Sequence, residues 1–229
     1  MKNIKSAPNE TMEERLNVIR AGVLGSNDGI LTVVGVLFSV GAATSNSFTI
    51  FIAGIADLFA CALSMASGEY ASVSSQKDAE EVVVDLETRR LAANPQSVEA
   101  DIYQFYLQKG VSEMTSRKIA QALMATKPLE AVLTAKYDVQ LGHYVSPMGA
   151  AISSLICAAM AGVFPLLTMT FVTGENGIVG TILITAIISA MIGLLSAYLG
   201  HGFMKRAMLR NVVIALITIA IHYGIGKLF

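Results

Sequence analysis

Residues 21–43 read AGVLGSNDGILTVVGVLFSVGAA, and the only charge among them is Asp28. A helix needs about 20 mostly apolar residues to cross a bilayer. This stretch is therefore long enough to span, and it places one carboxylate in mid-span. A charge there is costly and marks a functional-site candidate by default. Gly22, Gly25 and Gly29 form a small-residue stripe along which another helix backbone can approach closely. Thr32 and Gly35 continue the Asp28 face at i+4 and i+7.

The composition agrees with that reading. The chain has 229 residues, of which 54% are hydrophobic and 14% charged, and its mean hydropathy is +0.60. A soluble domain is usually about 25% charged, so a soluble enzyme and a disordered tail are both disfavoured. The net charge of −1 gives no signal for a nucleic-acid partner. Cys61 and Cys157 both lie inside apolar runs, which rules out a disulfide framework and a Cys-cluster zinc site.

Four more apolar runs are candidate spans. Residues 48–68 carry one charge, Asp57, and residues 147–173 and 178–204 contain no Asp, Glu, Lys or Arg. Residues 211–226 are short and carry His222, and could extend to Phe229 if Lys227 snorkels. The fold class is thus an all-α membrane protein, with five transmembrane helices and a cytoplasmic helical domain inserted between spans 2 and 3. The expected segments are a cytoplasmic N-terminal stretch over 1–20, spans 1 and 2 over 21–73, the helical domain over 74–146, and spans 3–5 over 147–229. Residues 1–20 carry both signs of charge and no apolar core before Val18, so no cleavable signal peptide is expected.

Basic residues give the orientation, because they collect on the cytoplasmic side. Lys2, Lys5, Arg15 and Arg20 precede span 1, eight more lie between Lys77 and Lys136, and Lys205, Arg206 and Arg210 separate spans 4 and 5. The other two loops hold none. The expectation is a cytoplasmic N-terminus and a C-terminus on the opposite side.

Within the inserted segment, helices are expected over 78–93, 97–109 and 113–125, with a fourth from Pro128 to near Gly142. Asn94-Pro95 and Gly110 break the pattern, and Ser112 is a plausible cap. In span 2, Asp57, Cys61, Ser64, Gly68 and Ser72 share one helical face, bordered by Met65, with Glu69 one turn beyond it. Carboxylates alone suit Mg²⁺ or Ca²⁺, whereas a thioether favours later first-row metals. A carboxyl in a low-dielectric span can also exchange a proton for a cation, so a cation/proton antiporter follows as a physical hypothesis. His143, His201 and His222 have no metal-binding spacing and read as structural.

The stretch SMASGEYASVSSQ at residues 64–76 strongly resembles the vacuolar iron transporter family of yeast, plants and bacteria. Asn27-Asp28-Gly29, Pro147 and Tyr223-Gly224-Ile225-Gly226 fit the same family. The resemblance implies a five-span homodimer that moves Fe²⁺, and often Mn²⁺, out of the cytosol in exchange for protons. Its path would run between two copies of span 1, where the glycine stripe would fit a close helix approach. Asp28 matches the family's membrane aspartate and Met65 its span-2 methionine. Asp57 falls where an acid is common.

The resemblance also implies a glutamate-rich metal cluster in the cytoplasmic helices. Glu87 matches its first position and Asp101 its last, but Arg90 and Val98 stand where two further acids are expected. The metal-site candidates are therefore Asp28, Met65, Asp57 and Glu69 in the membrane, and Glu87 and Asp101 in the inserted domain. No cofactor is expected beyond the transported Fe²⁺ or Mn²⁺, with regulatory divalent ions in the cytoplasmic domain as the one addition. The expected partners are a second copy, the lipid bilayer, the cation and protons, and no nucleic acid. The short length suggests a bacterial inner membrane, or a vacuolar membrane in a eukaryote. Two alternatives stay open, a same-fold transporter of relaxed selectivity and a non-transporting scaffold or sensor.

Overall fold

A computed structural model describes residues 12–142, 144–172 and 174–228. Lys2, Lys5, His143, Thr173 and Phe229 lie outside the described residues. Eight helices follow in order: α1 Met12–Ala43, α2 Ser47–Ala93, α3 Pro95–Gln108, α4 Glu113–Thr126, α5 Pro128–Tyr137, α6 Pro147–Phe171, α7 Glu175–Leu199 and α8 Met204–Gly226. No strand occurs among the described residues. Five of these helices, α1, α2, α6, α7 and α8, are long and apolar enough to cross a membrane.

Three boundaries differ from expectation for clear reasons. The helix expected over 78–93 is the continuation of span 2, because α2 runs unbroken for 47 residues. Nothing stops it between Gly68 and Pro95, and pairs such as Lys77–Glu81 and Arg89–Asp85 at i, i+4 support its polar half. The last helix starts at Met204 rather than 211, since Arg206 and Arg210 are good helix formers at its polar end. Asp138 takes a left-handed conformation (φ 56°) and ends α5 ahead of Gly142.

The chain divides into two compact units. One contains Arg15–Ser72 and Ser146–Phe229, and the other contains Val73–Val145 together with the start of α1 up to Glu14. In the first, α1 is the central element: Ala21, Ile30, Val33, Val34 and Leu37 are fully buried. Val33 and Leu37 pack with Ile50 and Leu58 of α2 and Leu166 of α6. Large apolar side chains on the outer faces, including Phe59, Leu63, Leu183 and Met191, are more than half exposed, as suits helices solvated by lipid.

The glycine stripe of α1 is occupied by α6 of the same chain. A Cβ at Gly22 would meet Ser153 and Cys157, one at Gly25 would lie 2.6 Å from the Ser154 carbonyl oxygen, and one at Gly29 would strike the Ala158 carbonyl. The expectation that this stripe serves a second copy of span 1 is thereby corrected. Small residues let two backbones meet, and here Ser154 and Ala158 make α6 the smooth-faced neighbour within the chain. Ser153 seals the contact by donating to the Val18 carbonyl at 2.9 Å.

The second unit is a small helical bundle. Asn94 caps α3 by accepting from Ser97 N, and Ser112 caps α4 by accepting from Thr115 N. Val98, Ile102, Ala120 and Val132 form its core, with Leu91 and Leu123 against it.

Candidate functional site

Polar side chains of α1 and α2 meet inside the first unit in antiparallel register. The Cys61 thiol donates to Asp28 Oδ2 at 3.6 Å. One turn away, Asp57 lies beside the Thr32 hydroxyl and within electrostatic reach of Asp28 and of His222 from α8. Oδ2 of Asp57 and the hydroxyl of Thr32 are buried and make no hydrogen bond with any described residue. Toward the start of α1, Glu69 is 7% exposed and its Oε2 lies 3.9 Å from the Arg20 guanidinium. Thr32 with Asp57, Asp28 with Cys61 and Arg20 with Glu69 set a constant pairing. Met65, half-buried on α2, therefore falls between the Cys61 and Glu69 rungs.

This arrangement has clear chemical capacities. Asp28 and Asp57 bring two carboxyls within electrostatic reach of each other inside an apolar unit, oxygen donors that a cation can use. An Asp28 oxygen stands beside the soft sulfur of Cys61, a mixture that suits later first-row divalent metals, and Asp57 follows one turn on without closing a three-ligand cage. No lysine or arginine pairs with Asp28 or Asp57 among the described residues. The face expected to run from Asp57 to Ser72 changes character along α2. Cys61 is buried, whereas Ser64, Gly68 and Ser72 are exposed, and Gly68 has open space around it.

His222 joins this cluster although its spacing reads as structural. Its Nδ1 lies 3.1 Å from the Ser39 hydroxyl, which also donates to the His222 carbonyl. Gly35 makes room for the ring, since a Cβ there would sit 2.9 Å from it. The signal was present in the sequence: an imidazole inside an apolar run is itself an intramembrane ionisable group.

The second unit builds a different kind of site. Glu87 is fully buried and accepts two hydrogen bonds of 2.8 Å from Arg90, one of 3.1 Å from Lys136 and one of 2.8 Å from Tyr137. Arg90 also donates to Asp101 at 3.0 Å and to Ser97 at 2.7 Å. Lys136 lies 3.5 Å from Asp101. Burial pushes the Glu87 carboxyl up, but the bonds from Tyr137, Arg90 and Lys136 outweigh it and hold it below the usual carboxylate range. Glu87 and Asp101 thus come together around two cationic side chains. Val98, at an expected acidic position, is a fully buried core residue. Of the other acids in this unit, Glu81 pairs with Lys77 and Glu130 with Lys127. Among the described residues no three His, Cys, Asp or Glu side chains converge as a ready metal cage.

The VIT family model matches residues 19–227, nearly the whole chain. The chain belongs to the VIT family. The vacuolar iron transporter of Acanthamoeba castellanii is 32% identical over 211 residues, covering 92% of this chain and 78% of that protein. Vacuolar iron transporter homolog 3 of Arabidopsis thaliana is 28% identical, over 94% of this chain and 84% of its own length. Vacuolar iron transporter homolog 1 of Oryza sativa subsp. japonica is 27% identical, over 94% and 75%. The VIT family consists of transporters rather than enzymes. In this VIT member the matched region contains both the α1–α2 cluster and the Glu87–Arg90 network.

Proposed function

We propose that this protein is a proton-coupled transporter that moves Fe²⁺ or Mn²⁺ out of the cytosol by antiport. The observation that carries the reading is the placement of Asp28 beside Cys61 and of Asp57 beside Thr32 inside apolar helices, with no lysine or arginine paired to either acid among the described residues. The relatives' names, vacuolar iron transporter, support the cargo. An incoming M²⁺ neutralises the Asp28–Asp57 pair and releases its protons, and reprotonation from the far side releases the metal. Met65 and Glu69 extend the ligand path toward the start of α1, where Arg20 screens Glu69. Basic-residue placement supports a cytoplasmic N-terminus, a cytoplasmic inserted unit and a C-terminus on the other side of a bacterial inner membrane. The open Ser64–Gly68–Ser72 face of α2 is the surface we assign to a second copy in a homodimer.

The inserted unit takes a structural part in this scheme. Glu87 and Asp101 already hold Arg90 and Lys136, so a divalent ion would have to displace two fixed cations.

Reconstituted liposomes test the proposal. Fe²⁺ and Mn²⁺ uptake driven by a pH gradient should fall to background in Asp28→Ala and drop strongly in Met65→Ala. Flux in Asp28→Ala equal to that of the unmodified protein would sink the mechanism. A scaffold with no transport role predicts no ion flux in any variant.

A further inference from the structure

Two cavities open side by side at the end of the membrane unit where α1 and α8 begin and α7 ends. The larger, about 470 Å³, has an apolar wall that includes Leu16, Val23, Ile192 and Ile214, and a polar side made of Arg20, Asn27, Arg210 and Asn211. The smaller, about 380 Å³, shares Ser196, Gly200 and Arg210 with it and adds Arg206. Arg210 therefore stands in the common wall, with one arginine to either side.

The polar groups here are unusually short of protein partners. Asn211 is 9% exposed, faces the larger cavity, and its side chain makes no hydrogen bond with a described residue. Neither Arg206 nor Arg210 has a carboxylate within ion-pair distance among the described residues. Arg206 stacks over Phe203 at 4.9 Å. Arg20 donates to Asn17 at 3.0 Å, and the one acid near it, Glu69, is 3.9 Å away. Three guanidiniums thus bound a half-apolar space at the level where helices leave the hydrocarbon.

That chemistry selects its occupant. A guanidinium binds phosphate oxygens in a bidentate fork. A free, fully hydrated anion gains nothing from an apolar wall, whereas a lipid brings an acyl chain for it. Carboxamides such as Asn27 and Asn211 can donate to ester carbonyls of a glycerol backbone. Basic pockets between spanning helices on the cytoplasmic side are suited to anionic headgroups. We propose that the paired cavities bind an anionic phospholipid. Its phosphate rests on Arg210 between Arg20 and Arg206, its glycerol esters lie on Asn27 and Asn211, and its first methylenes on Leu16, Val23 and Ile214.

The test uses the full chain in detergent, with lipid adducts counted by native mass spectrometry and unfolding temperature measured in parallel. Dioleoyl phosphatidylglycerol should bind one to one and raise the unfolding temperature. Dioleoyl phosphatidylcholine and soluble glycerol 3-phosphate should do neither. Arg210→Gln should weaken the phosphatidylglycerol adduct about tenfold, and Arg89→Gln, in the inserted unit and lining neither cavity, should leave it unchanged. Ile214→Trp fills the cavity with every arginine in place and should remove the adduct. The Ile214→Trp and lipid-class comparisons decide the matter even where Arg210→Gln folds poorly. Equal binding of phosphatidylcholine, or an adduct untouched by Ile214→Trp, overturns the proposal. Glycerol 3-phosphate binding as tightly as the lipid overturns it in favour of a free-anion site.

Discussion

Glu87 shows how one side chain sets the character of a whole unit. It has no solvent, and four hydrogen bonds from three donors supply what water would have given. Removing Arg90 leaves Glu87 with Lys136 and Tyr137 alone, and losing charge-assisted hydrogen bonds to a buried group costs about 1–3 kcal/mol. Arg90→Leu is therefore expected to destabilise the α3–α5 bundle by about that amount, measured by amide hydrogen exchange of α3 and α5 in the intact protein. The pH response follows from the depressed carboxyl of Glu87. A group whose folded pKa lies below its unfolded value of about 4.3 contributes fully above that value. The contribution is lost as pH falls through the folded pKa. Protection of α3 and α5, corrected for the intrinsic exchange rate at each pH, should thus fall below about pH 4, and Glu87→Gln should flatten that dependence. An acid response equally steep in Glu87→Gln would assign it to other carboxylates.

At the level of helices, packing is decided by where small residues face. Gly29 of α1 is pressed on the Ala158 carbonyl of α6, whereas Gly68 of α2 has open space. Gly29→Leu should lower the unfolding temperature of the detergent-solubilised protein sharply, since overpacking costs about 1–3 kcal/mol even without a backbone clash. Gly224→Leu on α8, where an added Cβ also meets nothing, should leave it unchanged. Comparable losses in both would show that the α1–α6 contact is not the tight one. The same contrast marks what was legible in the sequence. Five apolar runs announced five long helices, and the acids at 28 and 57 stood out because charge is scarce there. The stripe at Gly22, Gly25 and Gly29 was visible too, but a stripe says only that something packs closely, and the chain's own α6 fills it. The unbroken α2 was hidden because its hydropathy changes at Glu69 while its helix does not. His222 escaped because its neighbours, Ser39 and Gly35, are nearly two hundred positions away in sequence (183 for Ser39). Arg90 was conspicuous as a cation among acids, but its grip on Asp101, eleven positions on, depends on the turn at Asn94-Pro95.

For the molecule as a whole, the uneven charge carries the most testable consequence. Of sixteen basic residues, fifteen fall before α1's apolar stretch, within the inserted segment or at the start of α8, and only Lys227 lies at the far end. Each lysine or arginine resists translocation, so the bias sets orientation. The five spanning helices alternate in direction. In the orientation proposed above, the α6–α7 connection near Asn176 lies across the membrane from the α7–α8 turn. Single cysteines at Lys127, Lys205 and Asn176, in a chain with Cys61→Ala and Cys157→Ala, separate the cases. In sealed, right-side-out vesicles a membrane-impermeant maleimide should label Asn176→Cys alone. In inverted vesicles it should label Lys127→Cys and Lys205→Cys and spare Asn176→Cys. Labelling of Lys127→Cys from outside would put the inserted helices on the wrong side to receive cytosolic metal. It would also reverse the direction of transport proposed above, because the end of the membrane unit that carries Arg20 and Glu69 would no longer face the cytosol.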